Sequence, residues 1–412
     1  MTDHSTASDR NGSDVKITQK RYETDGMLRE CTAVVTGYEN ADGKHYITLD
    51  QTIFAPEGGG QKADLGELIV SGSNETVQVL DGHDRVKNCS LQGPVYLVSR
   101  EIPVGTSVLC KLDWDLRFMR MQQHSGEHVM SGLIHQHFGY NNVSFHLSDS
   151  EPVILCFDGV LTREDVLKME TLANEAVCQN IPILVSYPAK EELDRITYRS
   201  KIEIAGQVRL VSIEGVDVCA CCAPHVPTTG HIGLIKVLSI ASYKGGGTQV
   251  NILCGKRAQA LVQNEHELLT EISREYSTAP EELMRVILAE REDLRKTKEQ
   301  LASITEAKLL KEVAALSDRD EPCLFAPSLT PHALKICYNA LTDRFEKFCG
   351  VFSGTDEEGY QFYAGHPALD STLLAAKMRE HLQAKGGGSK DMIQGKLAKK
   401  EEEIRLFFRE LS

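Results

Sequence analysis

The chain has 412 residues, 41% of them hydrophobic and 25% charged, which suits two or three domains with proper cores. A net charge of −14 excludes broad, sequence-independent coating of nucleic acid, which needs a positive field, and leaves room only for a local basic patch. No apolar run approaches the roughly 20 residues of a membrane span, and MTDHSTASDRNGSD is no secretory signal, so a cytoplasmic protein without membrane contact is expected.

Residues 1–24 are polar and read as a disordered tail. Over 25–114, the strand-like pieces LRECTAVVTGYE, KHYITLDQTIF, GELIVSG, TVQVLDG, VYLVSR and SVLCKLDW are parted by turn residues, a spacing that predicts a small β-barrel or curled sheet. The period then changes. Leu116, Met119, Gln123, His124, Glu127, His128 and Ser131 recur at helical spacing and predict one helix over about 115–138. A second helix is expected across TREDVLKMETLANEAVCQN, with Thr162 as N-cap and Glu164 and Asp165 in its first turn. Strands return at IPILVSY, QVRLVSIEGVD and HIGLIKVLSIASYK, so 115–254 reads as an α+β domain.

Residues 255–318 are rich in Glu, Lys, Leu and Ala, in two segments parted by STAP with Pro280 at a first helical position. An antiparallel helical hairpin is expected there, a spacer arm that could also serve as a homodimer contact. Residues 319–412 alternate strand and helix and read as a small α/β domain, with Gly386-Gly387-Gly388 placed where a helix ends. The predicted fold class is therefore α+β, with four successive parts after the tail.

Most of the twelve cysteines are scattered singly, as small buried hydrophobes are in a reducing compartment. Cys219, Cys221 and Cys222 fall within four positions next to His225, which points to a metal before a disulfide. His124-Ser-Gly-Glu-His128 sets two imidazoles one turn apart on one helical face. His135 and His137 are out of phase with that pair and read as structural. A His pair with a Cys/His pair about 100 residues away makes a four-donor set of N and S atoms, which suits zinc. Spacing leaves open which of the three cysteines binds.

Glu127 offers either a general base or a partner for a ligand histidine, on a side of the helix different from that of a metalloprotease H-E-x-x-H glutamate. The reversed metalloprotease pattern H-x-x-E-H matches literally, but predicts a carboxylate rather than a thiol as third ligand. Phe54-Ala-Pro56-Glu57-Gly58-Gly59-Gly60-Gln61 is a glycine-rich stretch whose backbone could approach a carbonyl or phosphate closely.

Taken in order, FAPEGGGQKADLGEL, DWDLRFMRMQQHSGEHVMSGL and CACCAPHVPTTGHIGLIKV resemble the editing domain of alanyl-tRNA synthetase, and most closely its free-standing relatives, the AlaX proteins. The resemblance covers roughly residues 28–254. It implies zinc held by His124, His128, Cys221 and His225, with Cys222-Ala223-Pro224 standing where the family usually has Gly-Gly-Thr. It further implies a substrate pocket near Gly58, Gly59, Gly60 and His146, and catalytic parts for Glu127 and Gln61. The C-terminal region resembles the DHH-associated domain of long AlaX proteins, which implies tRNA contacts from Lys390 and Lys396. With strands beginning within about 30 residues of the N-terminus, no ATP-dependent aminoacylation domain is expected ahead of them. The implied activity is hydrolysis of serine or glycine esters on alanine tRNA; the alternative is a non-catalytic, zinc-stabilised tRNA-binding adaptor.

Overall fold

The computed structural model describes residues 18–200, 206–317 and 320–411, in two compact units, Met1–Leu268 and Leu269–Ser412. Of the expected tail, residues 1–17 lie outside the described residues, while 18–24 are ordered. Gln19–Lys20 pairs in parallel with Gln51–Thr52, and the helical turn Arg21–Thr24 buries Tyr22 to 4% exposure. One aromatic anchor thus overrides the polar composition of that stretch.

Six strands close into a barrel in the order Glu30–Ala41, Lys44–Leu49, Val95–Val98, Thr76–His83, Gly66–Val70 and Ser107–Leu112. Alternation decides which side chains face inward: Val77 and Val79 are buried while Thr76, Gln78 and Leu80 face outward. Val35, Ile47, Leu49, Leu68, Val98 and Val108 complete the interior, and closure leaves no unpaired edge.

The chain leaves the barrel into the helix Trp114–Phe138. Asp113 caps its start by accepting from the Leu116 N–H (3.1 Å), and Gly139, at φ 73°, ends it. Residues 120–134 of this helix are buried without interruption, although many are polar. A helix buried on all sides is ordinarily apolar. Here each inward polar group needs a specific partner, and those partners build the site. The helix packs against a four-stranded sheet (Ile235–Tyr243, Gly247–Cys254, Val153–Phe157, Asn142–His146) and a three-stranded one (Ile183–Ser186, Leu210–Ile213, Asp217–Ala220). The neighbouring helix Arg163–Gln179 starts with the expected Thr162 cap, reciprocated by Asp165.

Two buried arginines tie this helix to the barrel. Arg117, 1% exposed, donates to both carboxylate oxygens of Asp64 and to the carbonyls of Gly26 (3.1 Å) and Ile53 (2.6 Å). Arg120 pairs with Asp149 through two bonds of 2.8 Å and donates to the Ala63 carbonyl (2.5 Å).

The expected helices of 255–318 are present as Gly255–Glu275 and Leu283–Ala315; the latter buries Leu283, Leu309 and Val313 and exposes Met284, Leu288, Leu294, Leu301 and Ile304. The second unit holds a sheet in the order Cys323–Ala326, Cys349–Thr355, Gly359–Gly365, Ile393–Leu397, Lys385–Gly388, its first pair parallel and the rest antiparallel. The glycine run is therefore an edge strand rather than a loop. A Cβ at Gly386 or Gly388 would strike the carbonyls of Gln394 or Met392, so only glycine permits this close pairing. The sheet carries the helices Pro331–Arg344 and Ser371–Leu382 and a last one, Glu401–Glu410, which burial of Ile404, Phe407 and Phe408 holds down. Among the described residues no helix is long and apolar enough to cross a membrane.

Candidate functional site

His124, His128, Cys221 and His225 converge from the buried helix and from the turn after Asp217–Ala220, with one ligating atom of each within 4.8 Å of all the others. Cys221 Sγ lies 3.6 Å from His124 Nε2 and 3.4 Å from His225 Nε2. A tetrahedral ion with Zn–N near 2.05 Å and Zn–S near 2.3 Å separates its N and S donors by about 3.6 Å. The donor set therefore fits such an ion in chemistry and in spacing.

Each imidazole is aimed by its other nitrogen. His124 Nδ1–H donates to Gln61 Oε1 (3.0 Å), His128 Nδ1–H to Asp217 Oδ2 (3.0 Å) and His225 Nδ1–H to Ser125 Oγ (3.1 Å). These bonds hold a proton on each Nδ1 and turn each Nε2 toward the cluster. Asp217 is held in turn by two bonds from Arg199, of 2.7 and 2.8 Å.

The electrostatics of the cluster favour a cation. Burial holds the His225 imidazolium down, with help from His128 and His124, to a value of about 3, so this ring is neutral. Burial would raise the Cys221 thiol, but the His124 ring and the contact with His128 pull it well below the ordinary range, toward thiolate. For His128, burial opposes the charge, yet Asp217 and Cys221 more than reverse this and hold a proton there. That proton is what an arriving cation must displace.

The ligand turn is braced from below. The Cys221 N–H donates to the Arg209 carbonyl (3.1 Å), and Arg209 Nη1 donates back to the carbonyls of Cys221 (2.7 Å) and Ala223 (3.1 Å). This guanidinium, 8% exposed, gives the Cys-Cys-Ala-Pro-His turn a fixed shape.

Glu127 lies nearer the cluster than its place on the helix suggests. Its Oε1 accepts from Ser131 Oγ (2.8 Å) and Asn142 Nδ2 (2.6 Å), and its Oε2 is 3.7 Å from His128 Nε2. The side chain is long enough to reach past the 100° offset from His128.

Gly58 and Gln61 exchange both backbone hydrogen bonds (3.1 Å each), closing a two-residue turn with Gly59 at φ 61° and Gly60 at φ 82°. Such a turn needs positive φ at both central positions, which explains the glycines. The Gly58 N–H is consumed inside the turn, while those of Gly59 and Gly60 lie outside its bonds. A Cβ on Gly60 would come within 2.7 Å of the Phe145 ring, and Cys222 Sγ sits 3.6 Å from where a Gly58 Cβ would be. Phe145 also stacks on His124, with centroids 5.3 Å apart. The turn, Phe145 and Cys222 thus frame the approach to the cluster.

His146, the neighbour of Phe145, is exposed, as alternation along its strand requires. Lys390 and Lys396 are exposed in the second unit, where Lys396 stands across from Lys385 in the register. His135 and His137 bond through Nδ1 to backbone carbonyls of Tyr140 and Leu133, away from the cluster. Sequence reasoning did not find Asp217, Ser125, Arg199, Arg209 or Asn142 as parts of the site, whereas Phe145 lies in the segment Val143–Leu147 that resembles the family's substrate pocket. Only Asp217 and Ser125 carried a signal, lying near the cysteine cluster and between the two ligand histidines.

A family profile described as "Threonyl and Alanyl tRNA synthetase second additional domain" matches residues 208–251, the stretch that holds Cys221 and His225. The chain is 27% identical over 394 residues to a zebrafish (Danio rerio) protein named alanyl-tRNA editing protein Aarsd1, spanning 91% of each. It is 30% identical over 251 residues to Aarsd1-B of Xenopus laevis, spanning 60% of this chain and 58% of that one. An alanine–tRNA ligase of Ignicoccus hospitalis is 30% identical over 293 residues, which is 69% of this chain but only 31% of the ligase. The chain is therefore similar to a free-standing alanyl-tRNA editing protein over nearly its whole length and to an alanine–tRNA ligase over part of the ligase's length.

Proposed function

We propose that this protein is a zinc-dependent aminoacyl-tRNA deacylase that acts in trans on alanine tRNA mischarged with serine or glycine. The observation that carries the reading is the convergence of three aimed Nε2 atoms, the Cys221 thiolate and the Glu127 carboxylate beneath the Gly58–Gln61 turn. Its need is physical. A pocket built for alanine separates serine or glycine by only about 10–200-fold, so a second hydrolytic site is required.

His124, His128, Cys221 and His225 would hold the ion, which when bound supplies Lewis-acid polarisation at the ester. Glu127 takes the proton from the attacking water and returns it to the leaving ribose oxygen. The Gly59 and Gly60 N–H groups, outside the turn's own bonds, would serve as donors to the oxyanion, while Gln61 keeps His124 in its tautomer. Phe145 and Cys222 bound the space left for the aminoacyl group. Residues 25–254 form the editing part in this reading. Residues 319–412 hold the tRNA, through Lys390 and Lys396 on its phosphates.

Hydrolysis of Ser-, Gly- and Ala-esters of alanine tRNA by zinc-loaded protein and by His124→Ala tests the proposal. Loss of the serine or glycine ester, sparing alanine and abolished in the variant, is the expected result. Tight binding of all three with no hydrolysis would refute it and leave a zinc-stabilised adaptor.

A further inference from the structure

We propose that Asn142 is a positioning residue for the hydrolytic step, acting by holding one oxygen of Glu127 so that the other faces the metal centre; this rests on the hydrolase reading above. Glu127, Ser131 and Asn142 are 1%, 0% and 5% exposed. Asn142 Nδ2 donates to Glu127 Oε1 (2.6 Å) and to Ser131 Oγ (2.9 Å), and Ser131 Oγ–H donates to the same Oε1 (2.8 Å). The three groups close a ring of hydrogen bonds on a single carboxylate oxygen.

A glutamate's terminal torsion is broad, so an unheld carboxylate presents either oxygen, at varied angles. With Oε1 fixed twice, Oε2 is left 3.7 Å from His128 Nε2, on the side of the ligating atoms.

The clamp has a cost that points to its purpose. Asn142 Oδ1 is buried and has no hydrogen-bond partner among the described residues. An unmet buried acceptor costs roughly 1–3 kcal/mol. Turning the amide over would meet the Oδ1 need only by setting oxygen against the Glu127 carboxylate. An apolar side chain at 142 would avoid the orphan altogether but would take one of the two bonds from Glu127 Oε1. The same strand, Asn142–His146, carries Phe145 against His124, so one β-strand sets both the carboxylate and a ligand ring.

The test compares Asn142→Ala, Asn142→Ser, Glu127→Gln and the Glu127→Gln/Asn142→Ala double variant. The readouts are kcat and KM on the serine ester, zinc content, thermal midpoint, and the visible spectrum of the Co2+-substituted protein. For Asn142→Ala we expect kcat to fall about 10–100-fold with KM unchanged, zinc retained and an altered Co2+ spectrum. Asn142→Ser, which keeps a donor, should recover part of that loss, and Asn142→Ala should add less than twofold in the Glu127→Gln background. Wild-type kcat and spectrum in Asn142→Ala, or full additivity with Glu127→Gln, overturns the inference. So does loss of zinc or of the folded state in both Asn142 variants, which would make the role structural. If the wild-type protein hydrolyses none of the esters, the functional proposal fails by itself. The Co2+ spectra of the same variants still decide whether Asn142 acts through Glu127.

Discussion

Asp217 is the partner whose removal tests the metal centre most directly. It accepts the His128 Nδ1–H at 3.0 Å and is itself gripped by Arg199, whose side chain is 11% exposed. Taking away its charge loosens His128 and strands a largely buried guanidinium. Loss of such a partner costs about 10–100-fold in metal affinity, or about 1.4–2.7 kcal/mol. Asp217→Asn keeps an acceptor for the imidazole and belongs near the lower figure; Asp217→Ala keeps none and belongs near the upper. Ser125→Ala removes only a neutral bond of 3.1 Å and should cost less, about 0.5–1.5 kcal/mol. Competition with a chromophoric chelator at neutral pH measures all three. Zinc affinity within twofold of wild type in folded Asp217→Ala would refute the assignment of His128 as an aimed ligand. A reversed order of Asp217→Ala and Ser125→Ala would refute the argument from charge.

Arg117→Ala leaves the buried Asp64 carboxylate without its cation and should cost about 3–5 kcal/mol in urea unfolding; a loss under 1 kcal/mol would show that the pair is not under strain of burial. Gly60→Ala meets both a left-handed backbone, at about 1–2 kcal/mol, and the Phe145 ring. Its deacylation rate should fall with zinc content unchanged, and an unchanged rate would remove the turn from the pocket. The Arg120 bonds hold the Asp149 carboxyl below its ordinary value, so its contribution to stability is complete above about pH 4 and fades as the pH falls through the lowered value. The stability gap between wild type and Asp149→Asn should accordingly be constant near neutrality and close in acid; a gap that widens in acid would contradict the sign.

The barrel strands and the buried helix were legible because period 2 and period 3.6 each ran long enough to be counted, and the Thr162 cap because it is a local signal. The four candidate ligands were legible as types at a spacing, although the choice of Cys221 among three cysteines came from the family likeness. The helix Glu401–Glu410 was missed despite apolar residues at 404, 407 and 408, since its run of glutamates masked the period. The Gly386–Gly388 run was placed correctly after a helix end but not seen as a strand, because glycine is a poor strand former in sequence, whereas here it serves close pairing across the sheet. Arg209 and Asn142 were illegible for a common reason. Each acts through side-chain contacts 11–15 residues away, which no local period encodes.

The two arginine ties at positions 117 and 120 bear on where this protein can be cut. They sit one and two turns ahead of His124 on the same helix, and they grip Asp64 and Ala63, next to the Gln61 that aims the ligand ring. A fragment starting at Trp114 would keep every candidate ligand yet lose the acceptor of His124 and expose two cations meant for the interior. Recombining this metal centre with another N-terminal module would succeed only if the incoming barrel brought its own acidic and carbonyl sockets at matching height, so transplantation is a problem of matching the barrel's rim rather than of copying four ligands.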